Sequence, residues 1–359
     1  MVTVFTIVTR NHLHRARVLM KGVERHLPHA RRYMVMADHP GDFVDAAQER
    51  FTIVSPTDLA RPYYRALAFA LDPASLCFAL KAAAARHLRS LHPTSPVLYF
   101  DSDTQLYAEP TTLVAAAQQY PVVLSPHVLD PRLNAPGNRE TMRSGAFNGG
   151  LFAVGNSPIG DEFLAWWEAQ LSIPENVQST WNHDQGWLNQ VPALFPDTHI
   201  LRHPGYNVAF WNLHERAVHR DACGDYHVGV HPLVHFHFSF FDPVQPHLLA
   251  GSVSPFFPAP NAAVQSLLIG YAQDLDAAGA AECRRWGTEL TTFRDGRPIT
   301  AFHRKYFLER LWHQLPPASD PFDPRLAVPG MTGLKSVYQA DHVLVRTLRS
   351  LRQWGRTSK

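Results

Sequence analysis

The sequence predicts an α/β protein in which a mostly parallel central sheet is flanked by helices. Apolar runs rich in β-branched residues alternate with amphipathic helical segments, beginning with Val2–Val8 and a helix that extends to about Leu27. The later run Val97–Phe100 is continuously apolar, as expected of a strand that is covered on both faces. Strands that alternate with helices indicate parallel pairing, because parallel neighbours need a long crossover connection.

Composition narrows the class of protein. With 359 residues, 45% of them hydrophobic, the chain can form one large α/β domain with an appendage. The formal net charge of +2 argues against a nucleic-acid binder. Three widely spaced cysteines do not suit a disulfide scaffold. The first residues lack signal-peptide features and no apolar run reaches about 20 residues, so we expect a cytoplasmic protein.

Local patterns predict the remaining elements in order. Asp72 followed by Pro73 predicts a capped helix that continues to about Leu91. Asp161–Leu171 is amphipathic, and another helix is expected to start at Asp184 and Gln185. Strict alternation in His231–Phe240 predicts a strand with Val234, Phe236, Phe238 and Phe240 on one face and His235, His237 and Ser239 on the other. Further strands are predicted at 32–37, 51–54 and 122–124, and after an Asn148-Gly149-Gly150 turn.

Residues 246–359 have a different pattern, with proline-rich turns followed by helical segments. We therefore predict a domain at 1–245 and a mainly helical appendage at 246–359. Residues 331–359 carry six Lys or Arg against one Asp, with apolar residues at helical spacing. This pattern is typical of a basic amphipathic helix, either a peripheral membrane contact or a frayed tail.

The predicted strand Val97–Phe100 is followed by Asp101, Ser102 and Asp103. Ligands bind at the carboxyl ends of strands in such sheets, and hard oxygen ligands suit Mn²⁺ or Mg²⁺ together with phosphate oxygens. An Asp-x-Asp also arises by chance, and Asp274 and Asp276 repeat the spacing without a strand before them. We interpret that second copy as a solvated helix face.

Other segments allow both a functional and a structural interpretation. The segment from Arg10 to Arg32 carries seven Lys or Arg and one Glu, and it either faces a diphosphate or is a solvated face. Lys81 either reaches the metal site or extends to water. Asp184 acts in the site or only caps its helix. The histidine face of 231–240 supplies a metal ligand or polar filling.

Together these segments resemble the retaining GT-A glycosyltransferases of the family 8 and glycogenin type, in a bacterial subgroup connected with envelope polysaccharides. The resemblance covers about residues 2–245 and depends on Asp101-Ser102-Asp103, the Asn148-Gly149-Gly150 segment, the Asp184-Gln185 pair and a late His237, in that order. The chain departs from the family at Ser239-Phe240, where the family has a glycine and a downstream lysine.

The resemblance implies a role for each matched residue. It places Asp101, Asp103 and His237 on Mn²⁺ or Mg²⁺, with His235 as the fallback ligand. Asp184 and Gln185 are the implied catalytic residues beside the anomeric carbon. The implied donor-binding residues are Thr9, Asn11, Lys81, Ser102, Asn148, Gly149 and Gly150. The segment 206–216 is rich in aromatic and amide groups, and its candidate acceptor-binding residues are Asn207, Trp211 and His214.

The implied activity is metal-dependent transfer of a sugar from a nucleotide-sugar donor, a UDP-sugar, to a glycan or lipid-linked saccharide acceptor, in polysaccharide or lipopolysaccharide biosynthesis. No nucleic-acid partner is expected, and the enzyme would work in the cytoplasm at the inner face of the membrane. Two alternatives use the same residues: a metal-dependent nucleotidyltransferase or hydrolase of nucleotide-sugars, and an inactive sugar-binding protein.

Overall fold

The computed structural model describes residues 1–130, 142–178, 183–250, 260–314 and 320–327. The chain divides into two compact units, one covering residues 1–291 and one beginning at Thr292. The predicted domain boundary at residue 245 stays a prediction. The predicted basic tail, 331–359, lies outside the described residues. Within the described ranges, no helix is long and apolar enough to cross a bilayer.

A seven-stranded sheet with strand order β3-β2-β1-β4-β7-β6-β8 forms the centre of the first unit. Strand β1 pairs in parallel with β2 and β4, and β7 runs antiparallel between β4 and β6. The sheet is therefore mostly parallel, and the predicted fold class is confirmed. Its strands are β1 Thr3–Val8, β2 Arg31–Met36, β3 Thr52–Val54, β4 Val97–Phe100, β6 Val122–Pro126, β7 Phe147–Val154 and β8 His199–Ile200.

Two smaller sheets complete the strands. β5 (Thr104–Leu106) pairs antiparallel with β12 (His235–His237), and this register sets His237 opposite Thr104, next to Asp103. The three-stranded sheet contains β9 Val218–Arg220, β10 Tyr226–Val228 and β11 His231–Pro232.

Helices surround the sheet. The α-helices are Leu13–His26, Pro56–Leu59, Tyr64–Ala70, Pro73–Ala79, Lys81–Leu91, Thr111–Gln119, Pro158–Leu171, Pro174–Gln178, His183–Leu188, Val191–Leu194, Ala262–Ala277, Ala280–Trp286, Ala301–Tyr306 and Pro324–Ala327. The helix Leu13–His26 buries its apolar face against the sheet, with Leu13, Leu19 and Val23 fully buried in the main core. The sequence predicted this face from its spacing.

The predicted helix from Asp72 to Leu91 is wrong in one respect. Asp72 caps it as expected, because its carboxylate accepts hydrogen bonds from the backbone N–H groups of Ala74 and Ser75. The helix then breaks at Leu80, whose φ of −84° and ψ of −8° lie off the helical values, and a second helix starts at Lys81. The break places Lys81 at the start of a buried helix.

The predicted Asn148-Gly149-Gly150 turn is also wrong, because these residues lie inside strand β7. The two glycines serve close approach and not a turn. A Cβ atom on Gly150 would lie 2.6 Å from both Asp101 Oδ2 and His237 Cε1, and one on Gly149 would collide with the Asp184 carboxylate.

The alternation predicted for 231–240 fails at its end. Strand β12 stops at His237, and Val234, Phe236 and Phe238 are buried as predicted. Phe240 leaves that face: its φ is +58° and it is 66% exposed. A reversal of the backbone after the strand therefore presents this ring to solvent.

Candidate active site

A cavity of about 810 Å³ opens beside the carboxyl ends of strands β1 and β4. A pocket of this size is ordinary for a small-molecule site. Eleven of the fifteen residues predicted for the site line it: Thr9, Lys81, Asp101, Ser102, Asp103, Asn148, Gly150, Asp184, Gln185, Trp211 and His237.

Asp101, Asp103 and His237 meet on the wall of this cavity. One ligand atom from each lies within 4.8 Å of the others, and this is the one such cluster among the described residues. His237 Nε2 lies 3.3 Å from Asp103 Oδ1 and 3.9 Å from Asp101 Oδ2. Two carboxylates and an imidazole form a donor set that fits a divalent metal ion. The absent Cβ of Gly150 leaves room for this approach.

The other ring nitrogen of His237, Nδ1, forms a hydrogen bond with Asn207. Nδ1 lies 3.1 Å from Asn207 Oδ1, and this oxygen can only accept, so Nδ1 carries the proton and Nε2 is left as the ligand. Asn207 is oriented in turn, because its amide donates to Ser125 Oγ and to Asn148 Oδ1, each at 3.2 Å.

Asp103 and His237 shift each other's pKa in opposite directions. Burial alone would raise the pKa of Asp103, but His237 outweighs this effect and holds it well below its ordinary value. Burial likewise favours a lower pKa for His237, and Asp103 raises it instead. The imidazolium and carboxylate are thus stabilised mutually. A bound cation would compete with the proton on Nε2.

Lys81 provides a second positive charge within the site. Its Nζ donates to Gly149 O at 2.9 Å and to Asp184 Oδ2 at 2.8 Å, and it lies 3.2 Å from Asp101 Oδ1. Only 1% of its side chain is exposed. Burial favours a lower pKa for Lys81, but the carboxylates of Asp101 and Asp184 outweigh this effect and raise it.

Asp184 is buried at the start of the helix His183–Leu188. Within the described part of the chain its carboxylate accepts from Lys81 and not from the backbone of its own helix. Burial raises the pKa of Asp184 more than Lys81 lowers it. Gln185 lies alongside: its Oε1 accepts from Asn148 Nδ2 and from the Gly149 N–H, each at 3.2 Å.

Four predicted residues lie away from the cavity surface. Asn11 accepts a hydrogen bond from Thr9 Oγ1 at 2.6 Å, and Gly149 lies behind Asp184. Asn207 is fully buried beneath His237, whereas His214 is exposed elsewhere. Their predicted contacts with donor or acceptor stay predictions.

His235, the fallback ligand, is fully buried. Its Nδ1 accepts from the Asn207 N–H at 3.2 Å, and its ring lies 5.2 Å from that of Phe100. Burial holds the pKa of His235 well below its ordinary value, so the ring is neutral. It acts as hydrogen-bonded core filling, which is the structural interpretation considered above.

Several cavity residues were not singled out from the sequence. Arg15 Nη1 lies 3.9 Å from Asp103 Oδ2, and the basic segment that contains it was the available signal. His12, His127, Phe210 and Phe240 also line the cavity. His127 Nε2 lies 3.3 Å from Asn148 Nδ2, and burial lowers its pKa to about 4. His12, Phe210 and Phe240 belong to segments considered above without being predicted for the site, and no motif considered above contains His127.

No family model matches the chain. The uncharacterized protein YfnD of Bacillus subtilis (strain 168) is 22% identical over 243 residues, which cover 66% of this chain and 76% of that protein. The uncharacterized protein YfnF of the same organism is 25% identical over 176 residues, 47% of this chain and 57% of that protein.

Three solved glycosyltransferase structures align with this chain. Galactosyltransferase LgtC, in complex with donor and acceptor sugar analogues, aligns with a TM-score of 0.46 and 16% identity over 76% of this chain and 95% of that one. The glycosyltransferase GlyE of Streptococcus pneumoniae TIGR4 aligns with a TM-score of 0.42 and 15% identity, covering 79% and 64% of the two chains. Mouse xyloside xylosyltransferase 1 gives a TM-score of 0.36 and 13% identity, with coverage of 57% and 86%. At these TM-scores the likenesses carry no conclusion about function.

Proposed function

We propose that this protein is a metal-dependent, retaining glycosyltransferase that moves a sugar from a UDP-sugar to a saccharide acceptor. The observation that carries the proposal is the Asp101–Asp103–His237 cluster on the wall of a large cavity, with the Lys81–Asp184 pair 3.2 Å from Asp101. The motif order that resembles family 8 supports the same assignment.

A divalent cation bound by the three ligands would act as a Lewis acid toward the departing diphosphate. Arg15, beside Asp103, adds positive charge on the same side. Fixed charges that stabilise developing negative charge lower the barrier without reorganisation. In the transfer, the bond between the anomeric carbon and the diphosphate oxygen breaks and the acceptor oxygen bonds to that carbon. The acceptor proton passes to the departing phosphate.

Asp184 and Gln185 are proposed to face the anomeric carbon. Their polar oxygens would stabilise positive charge on the sugar as the bond to the diphosphate lengthens. Lys81 fixes Asp184 in place, because its Nζ donates to Oδ2 at 2.8 Å, and it lowers the pKa of Asp184 against the larger effect of burial. Asp184 is therefore a charge-stabilising group whose position is set by the start of a separate helix.

A metal-dependent hydrolase is the second candidate, and it needs a carboxylate base that activates water near the metal. The described acidic residues that line the cavity are Asp101, Asp103 and Asp184. The first two are proposed metal ligands and the third is paired with Lys81. This arrangement leaves no further described carboxylate to act as base, so transfer is favoured.

The test combines binding with turnover. UDP should raise the melting temperature only when Mn²⁺ is present, because the proposed metal holds the diphosphate. A ligand that binds only the native state stabilises it by about 2.7 kcal/mol at a hundred times its Kd. Asp101→Asn and Asp103→Asn should each abolish this shift. A screen of nucleotide-sugars, followed by released nucleotide, then identifies the donor.

Asp274→Asn is the matched control, since Asp274 belongs to the second Asp-x-Asp. It lies on the helix Ala262–Ala277 and contacts Lys21 and Gln105. The Mn²⁺-dependent shift should survive this change. An undiminished shift in both Asp101→Asn and Asp103→Asn would refute the metal assignment.

A further inference from the structure

Phe240 is an exposed aromatic residue on the cavity surface. It lines the cavity although 66% of its surface is accessible to solvent. Its backbone has φ +58°, in the left-handed region that side chains with a Cβ rarely adopt. The backbone at Phe240 is strained and its ring is little buried, so this conformation does not stabilise the fold.

Two further aromatic residues adjoin Phe240 on the same wall. The Phe210 ring lies 6.0 Å from the Phe240 ring, and Trp211 follows at 5.1 Å from Phe210. Trp211 is 8% exposed, lines the cavity and lies 5.2 Å from the His237 ring. Among the described residues, its indole N–H has no hydrogen-bond partner. A buried donor of this kind is costly unless a ligand accepts from it.

The position of this wall in the sheet indicates which substrate it meets. Thr9 follows β1, whereas the 207–211 segment contacts β6 and β7, since Asn207 bonds to Ser125 and Asn148. In the strand order β1-β4-β7-β6, these two sides are separated by two to three strand spacings, about 10–14 Å at about 4.8 Å each. The metal ligands after β4 lie between them. A nucleotide placed at Thr9 therefore leaves the aromatic wall to the other substrate.

We propose that Phe240, with Phe210 and Trp211, forms the acceptor subsite and binds a pyranose ring. The Phe240 ring stacks on the apolar C–H face of the sugar, and the Trp211 N–H donates to one of its hydroxyl groups. The subsite rests on the proposed transfer function, which it deepens by assigning the acceptor side. Aromatic surface with a few directed polar groups is the usual composition of such pockets.

Phe240→Gly separates a ligand-binding role from a structural one. Glycine adopts the left-handed backbone without strain, so the melting temperature should stay level or rise. With methyl glucopyranoside, galactopyranoside and mannopyranoside as acceptors, the acceptor KM should rise about tenfold through lost ring burial. The rise in acceptor KM should exceed any change in donor KM. Phe240→Tyr is the matched control and should keep the wild-type acceptor KM.

A binding measurement keeps the test independent of turnover. The same methyl glycosides should change the tryptophan fluorescence of the wild type and not that of Phe240→Gly. Equal acceptor KM in wild type and Phe240→Gly, or a rise in donor KM alone, overturns the subsite. An unresponsive wild-type fluorescence overturns it too. Absence of nucleotide release from every donor would refute the transfer function, while the fluorescence result still decides the subsite.

Discussion

The sequence predicted Asn207 as an acceptor-binding residue, and the structure shows that it also supports His237. It is fully buried, has a left-handed backbone at φ +51°, and accepts from His237 Nδ1. Its amide group also donates to Ser125 and Asn148, so one side chain links β6, β7 and the histidine. Partners of this kind orient a metal-ligating histidine and tune its basicity.

Asn207→Gly should weaken Mn²⁺ binding about 10- to 100-fold, which is typical for loss of such a partner. Glycine suits the left-handed backbone, so the fold should tolerate the change better than it would alanine. Titration calorimetry with Mn²⁺ measures the affinity. Asn207→Asp keeps an acceptor for Nδ1 and should retain more affinity than glycine does. Unchanged Mn²⁺ affinity in Asn207→Gly would leave Asn207 a purely structural residue.

At the residue scale, the sequence predicted those groups that lie next to a recognisable element. Asp101 and Asp103 follow an apolar strand, so their placement could be predicted from local pattern alone. Phe240 was assigned to the core face, because alternation gives no sign of where a strand ends. His127 and Arg15 reach the cavity from separate segments, and only the folded topology brings them there.

At the scale of elements, the break at Leu80 sets the geometry of the site. Lys81 becomes the first residue of a buried helix and faces both Asp101 and Asp184. Helical spacing predicted the apolar stripe of this segment but not its interruption, and left the direction of Lys81 open. Contacts with carboxylates from two other elements decide that direction.

Lys81→Met should lower the free energy of unfolding by about 3–5 kcal/mol, because it leaves buried carboxylates without their cation. Adding Asp184→Asn should recover part of this loss, since the double variant removes the charge that was left unpaired. Urea unfolding without metal measures both. Equal stability of Lys81→Met and the wild type would show that the ion pair of Lys81 and Asp184 makes no net contribution to the free energy of unfolding. Strictly additive losses would show that the two residues act independently.

At the scale of the whole first unit, residues distant in sequence meet at the loops that follow β1 and β2. Arg10 Nε donates to Gly287 O at 3.2 Å, and the His39 N–H donates to Glu289 Oε1 at 3.2 Å. The first unit therefore includes chain well beyond residue 245. The sequence pattern showed a change of composition there, but composition does not reveal that the later helices pack against the helix Leu13–His26 and the turn before it.

Asp38 lies at this closure, and its side chain is fully buried. Burial raises the pKa of Asp38 from 3.8 to about 6, although the backbone N–H of Arg10 donates to Oδ1 at 2.8 Å. The folded state therefore binds a proton more tightly than the unfolded chain does. This stabilisation is fully present below about pH 3.8 and is lost as pH rises through 6.

Asp38→Asn should remove this dependence on pH. Between pH 4 and pH 8 the wild type should lose about 2–3 kcal/mol of unfolding free energy that the variant does not lose, because a shift of one pKa unit corresponds to 1.36 kcal/mol. Glu168→Gln should behave in the opposite sense. Burial raises the pKa of Glu168, but its bonds to Tyr63 and Arg86 lower it further, so its stabilisation is lost as pH falls. A pH profile of Asp38→Asn parallel to the wild type would show that Asp38 stays charged when folded.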